Sequence, residues 1–132
     1  MRTILCFLLL SSLSLTAQDY FLERYEPFRQ DVPSPAEFLG YGIGEYHTRH
    51  DRIVAYLQAL DQASDRAEIE VYGYTHEKRP LVILRISEAR HLSSLPELRE
   101  RHLAFTDPDT PMKSDPELPV FIQLAYNVHG NE

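Results

Sequence analysis

Leu81-Val82-Ile83-Leu84-Arg85-Ile86 is apolar at every position but Arg85 and rich in branched side chains. A run this short and this continuous is the pattern of a β-strand covered on both faces. It commits the chain to a sheet with other layers packed around it. Pro80 suits the first position of such a strand, where its missing N–H does least harm. Upstream, Ile69, Val71 and Gly73 alternate with Glu68, Glu70 and Tyr72, the two-residue period of a strand. The polar stretch Thr75-His76-Glu77-Lys78-Arg79 between the two runs predicts a turn, and the whole predicts a hairpin. Val120-Phe121-Ile122-Gln123-Leu124-Ala125-Tyr126 is mostly apolar and predicts a third strand.

Helical spacing flanks the hairpin. Ile53, Leu57 and Leu60 fall at i, i+4 and i+7, with Val54 beside them, which gives one apolar stripe. Thr48 and Asp51 have the spacing of a capping box at the start of that stripe, and the helix is expected to close near Ala63-Ser64. Ser94 and Glu97 repeat the box spacing ahead of Leu95, Leu98 and Leu103, predicting a second, shorter helix. Asp19 to Pro35 reads as an extended lead-in. Gly40, Gly42 and Gly44 read as a flexible surface turn, because no strand precedes them and the third glycine comes too soon for a nucleotide-binding loop. Thr106 to Pro119, with four prolines, reads as a loop.

The content of 43% hydrophobic and 25% charged residues is that of a globular chain, and 132 residues allow one small domain. Residues 1–17 stand apart. Met1-Arg2 is a short positive start, Ile4 to Leu10 an apolar run, and Thr16-Ala17-Gln18 a small residue with a polar exit. This is the layout of a secretory signal peptide cleaved after Ala17. The run is shorter than the ~20 apolar residues that span a bilayer. The mature chain is expected to cover residues 18–132, secreted or periplasmic, with no stable membrane span. Cys6, the single cysteine, leaves with the signal, so no internal disulfide is expected. The formal charge of −7 becomes more negative by one with the loss of Arg2, which argues against nucleic acid as a partner.

Directly after the third apolar run stand Asn127-Val128-His129-Gly130-Asn131-Glu132. A zinc ion takes imidazole nitrogens and carboxylate oxygens, and a turn after a buried strand aims two such groups at one point. Gly130 lets the backbone turn tightly between them. On spacing alone, His129 and Glu132 carry little weight against a solvated loop histidine. The full string Tyr126-Asn127-Val128-His129-Gly130-Asn131-Glu132 closely resembles the first zinc motif of the zinc carboxypeptidases related to carboxypeptidases A and E. Tyr46-His47-Thr48 leading to Ile53, Tyr56 and Leu60 resembles that family's first helix. Gly73 with Arg79-Pro80-Leu81 resembles its first hairpin. The similarity covers about residues 34–132.

The resemblance implies an α/β fold, the N-terminal part of a mixed-sheet carboxypeptidase-like fold with helices on both faces of the sheet. It implies Zn2+ held by His129 and Glu132, and peptide or protein C-termini as substrate. The second zinc histidine, the arginine that receives the substrate carboxylate and the glutamate base of that family lie downstream of this motif. No catalytic residue is therefore assigned among residues 1–132, and the segment alone is expected to be inactive. Two other readings stand beside this one: a secreted non-catalytic binding or structural protein that keeps the fold, and a zinc amidohydrolase or deacylase of related fold. Four local features invite other ligands. His47 with His50 and Glu88 with His91 have ligand-like spacing, Tyr72 and Tyr74 form an aromatic pair, and Asp107-Pro108-Asp109 is acidic. Solvated side chains, the second face of the hairpin and a plain turn are the expected readings of these.

Overall fold

Ser34-Pro35-Ala36-Glu37 opens the first helix among the described residues. The structure, a computed structural model, describes residues 25–109 and 115–126. The chain divides between Val32 and Pro33. In the first unit, Arg29 reaches Asp31 through two hydrogen bonds, Nε to Oδ1 at 3.0 Å and Nη2 to Oδ2 at 2.5 Å. The second unit opens with α1, Pro35–Leu39. The Ser34 hydroxyl accepts from the Glu37 amide at 3.2 Å, and the Ser34 amide donates to Glu37 Oε2 at 2.8 Å. This reciprocal capping box satisfies two orphan donors, and Pro35 supplies a preset φ at the first helical position. The Ser34 amide and then its hydroxyl hold the Glu37 carboxyl below its ordinary pKa. Gly40 ends α1 at φ 84°, and its amide donates to Ala36 O at 2.9 Å. The turn expected at the glycines is present, but the lead-in gives way to a helix one residue before its expected end.

The main helix, α2, spans His50–Ala63 and ends at Ser64, as its apolar stripe predicts. Its start differs. Arg49 is the capping residue and makes no side-chain cap bond. Thr48 Oγ1 instead accepts from the Tyr41 hydroxyl at 2.9 Å, and Asp51 Oδ1 accepts from Arg49 Nε at 3.0 Å. Both groups of the expected box are thus engaged by other partners. α2 packs on α1, where Phe38 and Tyr56 place their rings 5.4 Å apart and the Tyr56 hydroxyl donates to Pro33 O at 3.1 Å.

α2 also packs on β1, Ala67–Tyr74, which pairs antiparallel with β2, Pro80–Ile86. Asp61 Oδ1 accepts from the Ile69 amide at 3.1 Å and ties the helix to the strand. In register, Glu68 faces Arg85 and Val71 faces Val82, but Gly73 faces Leu81, so Tyr72 is the extra residue of a bulge. Arg85 bridges two acids on one face. Its Nη1 lies 2.9 Å from Glu68 Oε1, directly opposite, and its Nη2 pairs with Glu70 on the diagonal. The Glu70 carboxylate, its strongest partner, raises the Arg85 pKa. The turn is closed by Thr75 N–H to Arg79 O at 2.9 Å, with Lys78 at φ 64°. The hairpin expected from the alternation is therefore present. β2 is not covered on both faces among the described residues, for Ile83 is exposed and Ile86 is 72% exposed.

The connection after β2 contains a short helix, α3, Ala89–Leu92, followed by α4, Leu95–Thr106. α4 confirms the second predicted helix, but not its capping box. The Ser94 hydroxyl donates to Arg90 O at 2.8 Å and makes no cap bond, so it ties α4 back to α3. The described residues form a mixed α/β chain: four helices and one two-stranded antiparallel sheet. Val120–Tyr126 is not a strand. Its backbone makes no ladder with β1 or β2, and the apolar run, without a pairing edge, stays exposed and outside regular secondary structure. Val54 and Leu98, at 8% and 3% exposure, are the buried apolar residues of the described part. No helix among the described residues is long and apolar enough to cross a membrane.

Candidate functional site

The segment that leads toward His129 and Glu132 is held by α4. Arg101 and His102 are adjacent on that helix, and each reaches back to the segment through a different chemistry. The Arg101 guanidinium donates to Asp115 Oδ2 from Nε at 3.1 Å and from Nη2 at 2.5 Å. The other oxygen of Asp115, Oδ1, accepts from the Glu117 amide at 3.1 Å and closes a turn. One carboxylate thus joins helix and loop. The Arg101 hydrogen bonds hold the Asp115 carboxyl below the ordinary aspartate range, and Asp115 in turn raises the arginine. His102 Nε2 lies 2.7 Å from Pro119 O. A carbonyl only accepts, so Nε2 carries the proton. The His102 and Phe121 rings meet edge to face, with centroids 4.7 Å apart and planes at 79°.

This tie predicts a specific acid response. Asp115 has a depressed folded pKa, so its contribution is complete above the unfolded value, near ~4. It is lost only as pH falls through the still lower folded value. The Arg101 Nε–H resonance is therefore expected to be constant from neutral pH down to the ordinary aspartate range and to shift below it. Asp115→Asn is expected to remove that acid transition. A shift already complete at pH 5 would show that Asp115 is not its acceptor.

A cleft of about 350 Å³ lies beside this segment, lined by Ile83 and Arg85 of β2, His91 and Leu92 of α3, Leu95 and Leu98 of α4, and residues 119–123. Its lining is largely apolar. Two of its polar side chains are engaged elsewhere: Arg85 by Glu68 and Glu70, and His91 Nδ1 by Ser87 Oγ at 3.2 Å. The Ser87–His91 contact is four residues apart in sequence and had no signal beyond that spacing. The Arg101–Asp115 and His102–Pro119 contacts close loops of 14 and 17 residues, which no local pattern in the sequence reveals.

The predicted metal ligands His129 and Glu132 lie outside the described residues, as do Asn127, Val128, Gly130 and Asn131. Among the described residues, no group of three or more His, Cys, Asp and Glu side chains is placed to hold a metal ion. The other ligand-like pairs are accounted for by ordinary contacts or exposure. His47 is exposed ahead of α2 and His50 is its first residue. Glu88 pairs with Arg90 at 2.7 Å while His91 turns to Ser87, so the two do not converge. Asp107 Oδ1 accepts from the Asp109 amide at 3.0 Å, which makes a turn. Tyr72 and Tyr74 are both exposed. No family model, curated protein or solved structure matches this chain.

Proposed function

We propose that this chain is the N-terminal part of an exported zinc carboxypeptidase domain, with His129 and Glu132 as two of its metal ligands. The observation that carries this reading is the string Tyr126-Asn127-Val128-His129-Gly130-Asn131-Glu132 directly after an apolar run. The succession of α2, the hairpin with its basic Arg79 and Pro80, α4 and then the apolar run agrees with it. The reaction is hydrolysis of the C-terminal peptide bond of peptides or proteins. The donor set fits zinc in kind: an imidazole nitrogen and a carboxylate oxygen are two of the three protein ligands of such a site. When bound, zinc makes hydroxide available from water near neutral pH. Specificity toward the departing side chain belongs to residues beyond this stretch.

In a chain joined to the residues encoded after Glu132, zinc content and release of a C-terminal amino acid are expected to depend together on His129 and Glu132. Activity that survives loss of either ligand would sink the reading. Export has its own test. N-terminal sequencing of material recovered outside the cytoplasm is expected to begin at or near Gln18, and a retained Met1 in a membrane fraction would contradict cleavage.

A further inference from the structure

The two edges of the hairpin differ. β1 is guarded on its outer side. Asp61 of α2 already accepts from the Ile69 amide, the strand carries Glu68 and Glu70, and the bulge at Tyr72 breaks its line. Charged side chains, bulges and covering elements are the means by which an edge is kept from pairing. β2 is not guarded in this way. Its one charged residue, Arg85, is held by Glu68 and Glu70 of its own hairpin. Among the described residues, no backbone hydrogen bond outside the hairpin ladder reaches residues 81–86.

The ladder fixes which groups stand free. The Ser87 amide donates to Arg66 O at 3.1 Å, so residue 87 faces β1. In an antiparallel pair, successive residues alternate between bonding the neighbouring strand and facing away from it. Ile83 and Arg85 therefore engage β1, while Val82, Leu84 and Ile86 direct their N–H and C=O groups outward. Ile69, the register partner of Leu84, agrees, because its amide leaves the ladder for Asp61. The cleft of about 350 Å³ takes in Ile83 and Ile86 at this edge, with Leu92, Leu98 and Phe121 also in its lining. That volume lies within the ~300–1,000 Å³ of ordinary ligand sites. The charge of Arg85 is already balanced, so the cleft favours uncharged side chains over acidic ones.

We infer that β2 and this cleft form a docking site for an extended, uncharged, apolar peptide segment of a partner protein. The segment adds to the sheet as a strand. Its backbone bonds the outward groups of Val82, Leu84 and Ile86, and its alternate side chains enter the cleft beside Ile83. The site is independent of the zinc reading.

The probe is a capped heptapeptide of alternating valine and threonine, titrated into the nitrogen-15-labelled chain. The amides of Val82, Leu84 and Ile86 are expected to shift and to slow their hydrogen exchange about fivefold, the worth of one net hydrogen bond. The amides of Ile83 and Arg85 already lie in the ladder and are expected to keep their exchange rates. They also report in each variant that the hairpin is intact. A peptide with glutamate in place of valine is expected not to bind. Glu68→Gln combined with Glu70→Gln frees Arg85 and is expected to admit that acidic peptide. Ile83 is 43% exposed. Ile83→Lys is expected to weaken the valine peptide about tenfold, because its ammonium has no partner in an apolar cleft.

A valine peptide that leaves Val82, Leu84 and Ile86 unchanged at millimolar concentration would overturn the docking site. So would binding that protects the outer amides of β1 instead. An acidic peptide that binds the parent chain as well as the valine peptide does would overturn the uncharged partner. Protection of the same three amides that rises with protein concentration alone would make the occupant a second copy and overturn a partner segment.

Discussion

His129→Ala, in a chain that carries the residues encoded after Glu132, is expected to abolish zinc retention and peptidase activity together. The argument is one of coordination number. A catalytic zinc of this kind is held by three protein ligands and keeps one position for water. Removing a hydrogen-bond partner of a ligand already costs ~10–100-fold in affinity or activity, and removing the ligand itself costs more. Glu132→Gln replaces an anionic oxygen donor by a neutral amide and is expected to do the same. The 132-residue chain alone is expected to bind zinc weakly, since His129 and Glu132 are only two ligands and ordering them costs conformational entropy. It is expected to release no C-terminal residue. The measurements are zinc content after dialysis and the rate of amino-acid release from a peptide. Full activity in His129→Ala would mean that the metal is held elsewhere.

Leu98→Ala is expected to cost about 2–5 kcal/mol of stability, the range for a buried leucine truncated to alanine. At 3% exposure Leu98 is the more completely buried of the two core residues described, and it joins α4 to the cleft against β2. Domains of ordinary stability hold only ~0.05–0.15 kcal/mol per residue. This chain leaves Ile86, Val120, Ile122 and Leu124 exposed, so its own reserve is expected to be small. The substitution is therefore expected to leave no cooperative transition near room temperature, as read by circular dichroism against denaturant. Leu98→Met, which conserves volume, is expected to cost less than about 1.5 kcal/mol. A Leu98→Ala variant within about 0.5 kcal/mol of the parent would show that α4 packs more loosely than its burial indicates.

The elements that sequence periodicity announces are those whose signal is local and repeated. The stripe Ile53, Leu57 and Leu60 delivers α2, and the alternation from Glu68 to Gly73 delivers β1. The capping residues were less legible because a hydroxyl has several takers. Thr48 and Ser94 both have box spacing, yet one receives Tyr41 and the other binds Arg90, while the working box at Ser34 and Glu37 begins inside the stretch read as extended, which ends at Pro35. Pro35 after Ser34 and Gly40 after Leu39 were the available signs of α1. The expected third strand failed for a different reason. Val120–Tyr126 has the composition of a strand, but a strand also needs an edge to pair with, and composition says nothing of that. The candidate ligands were found by their likeness to a motif, and periodicity contributed only the apolar run ahead of them. The contacts of Arg101 with Asp115 and of His102 with Pro119 join distant positions and leave no imprint in a single sequence.

The principal contacts between elements join sequence neighbours: α1 with α2, α2 with β1, β1 with β2, and α3 with α4. Local contacts of this kind close short loops and form quickly, because little chain entropy is lost before each is made. The polypeptide can therefore acquire these pairs in the order of its synthesis, from α1 onward, each docking on the element made just before it. Residues 115–121 join last, by reaching back to a helix that is already in place. For the apolar run that follows, the hazard is a matter of timing: until its backbone finds an edge, it is the stretch most exposed to pairing with another nascent chain.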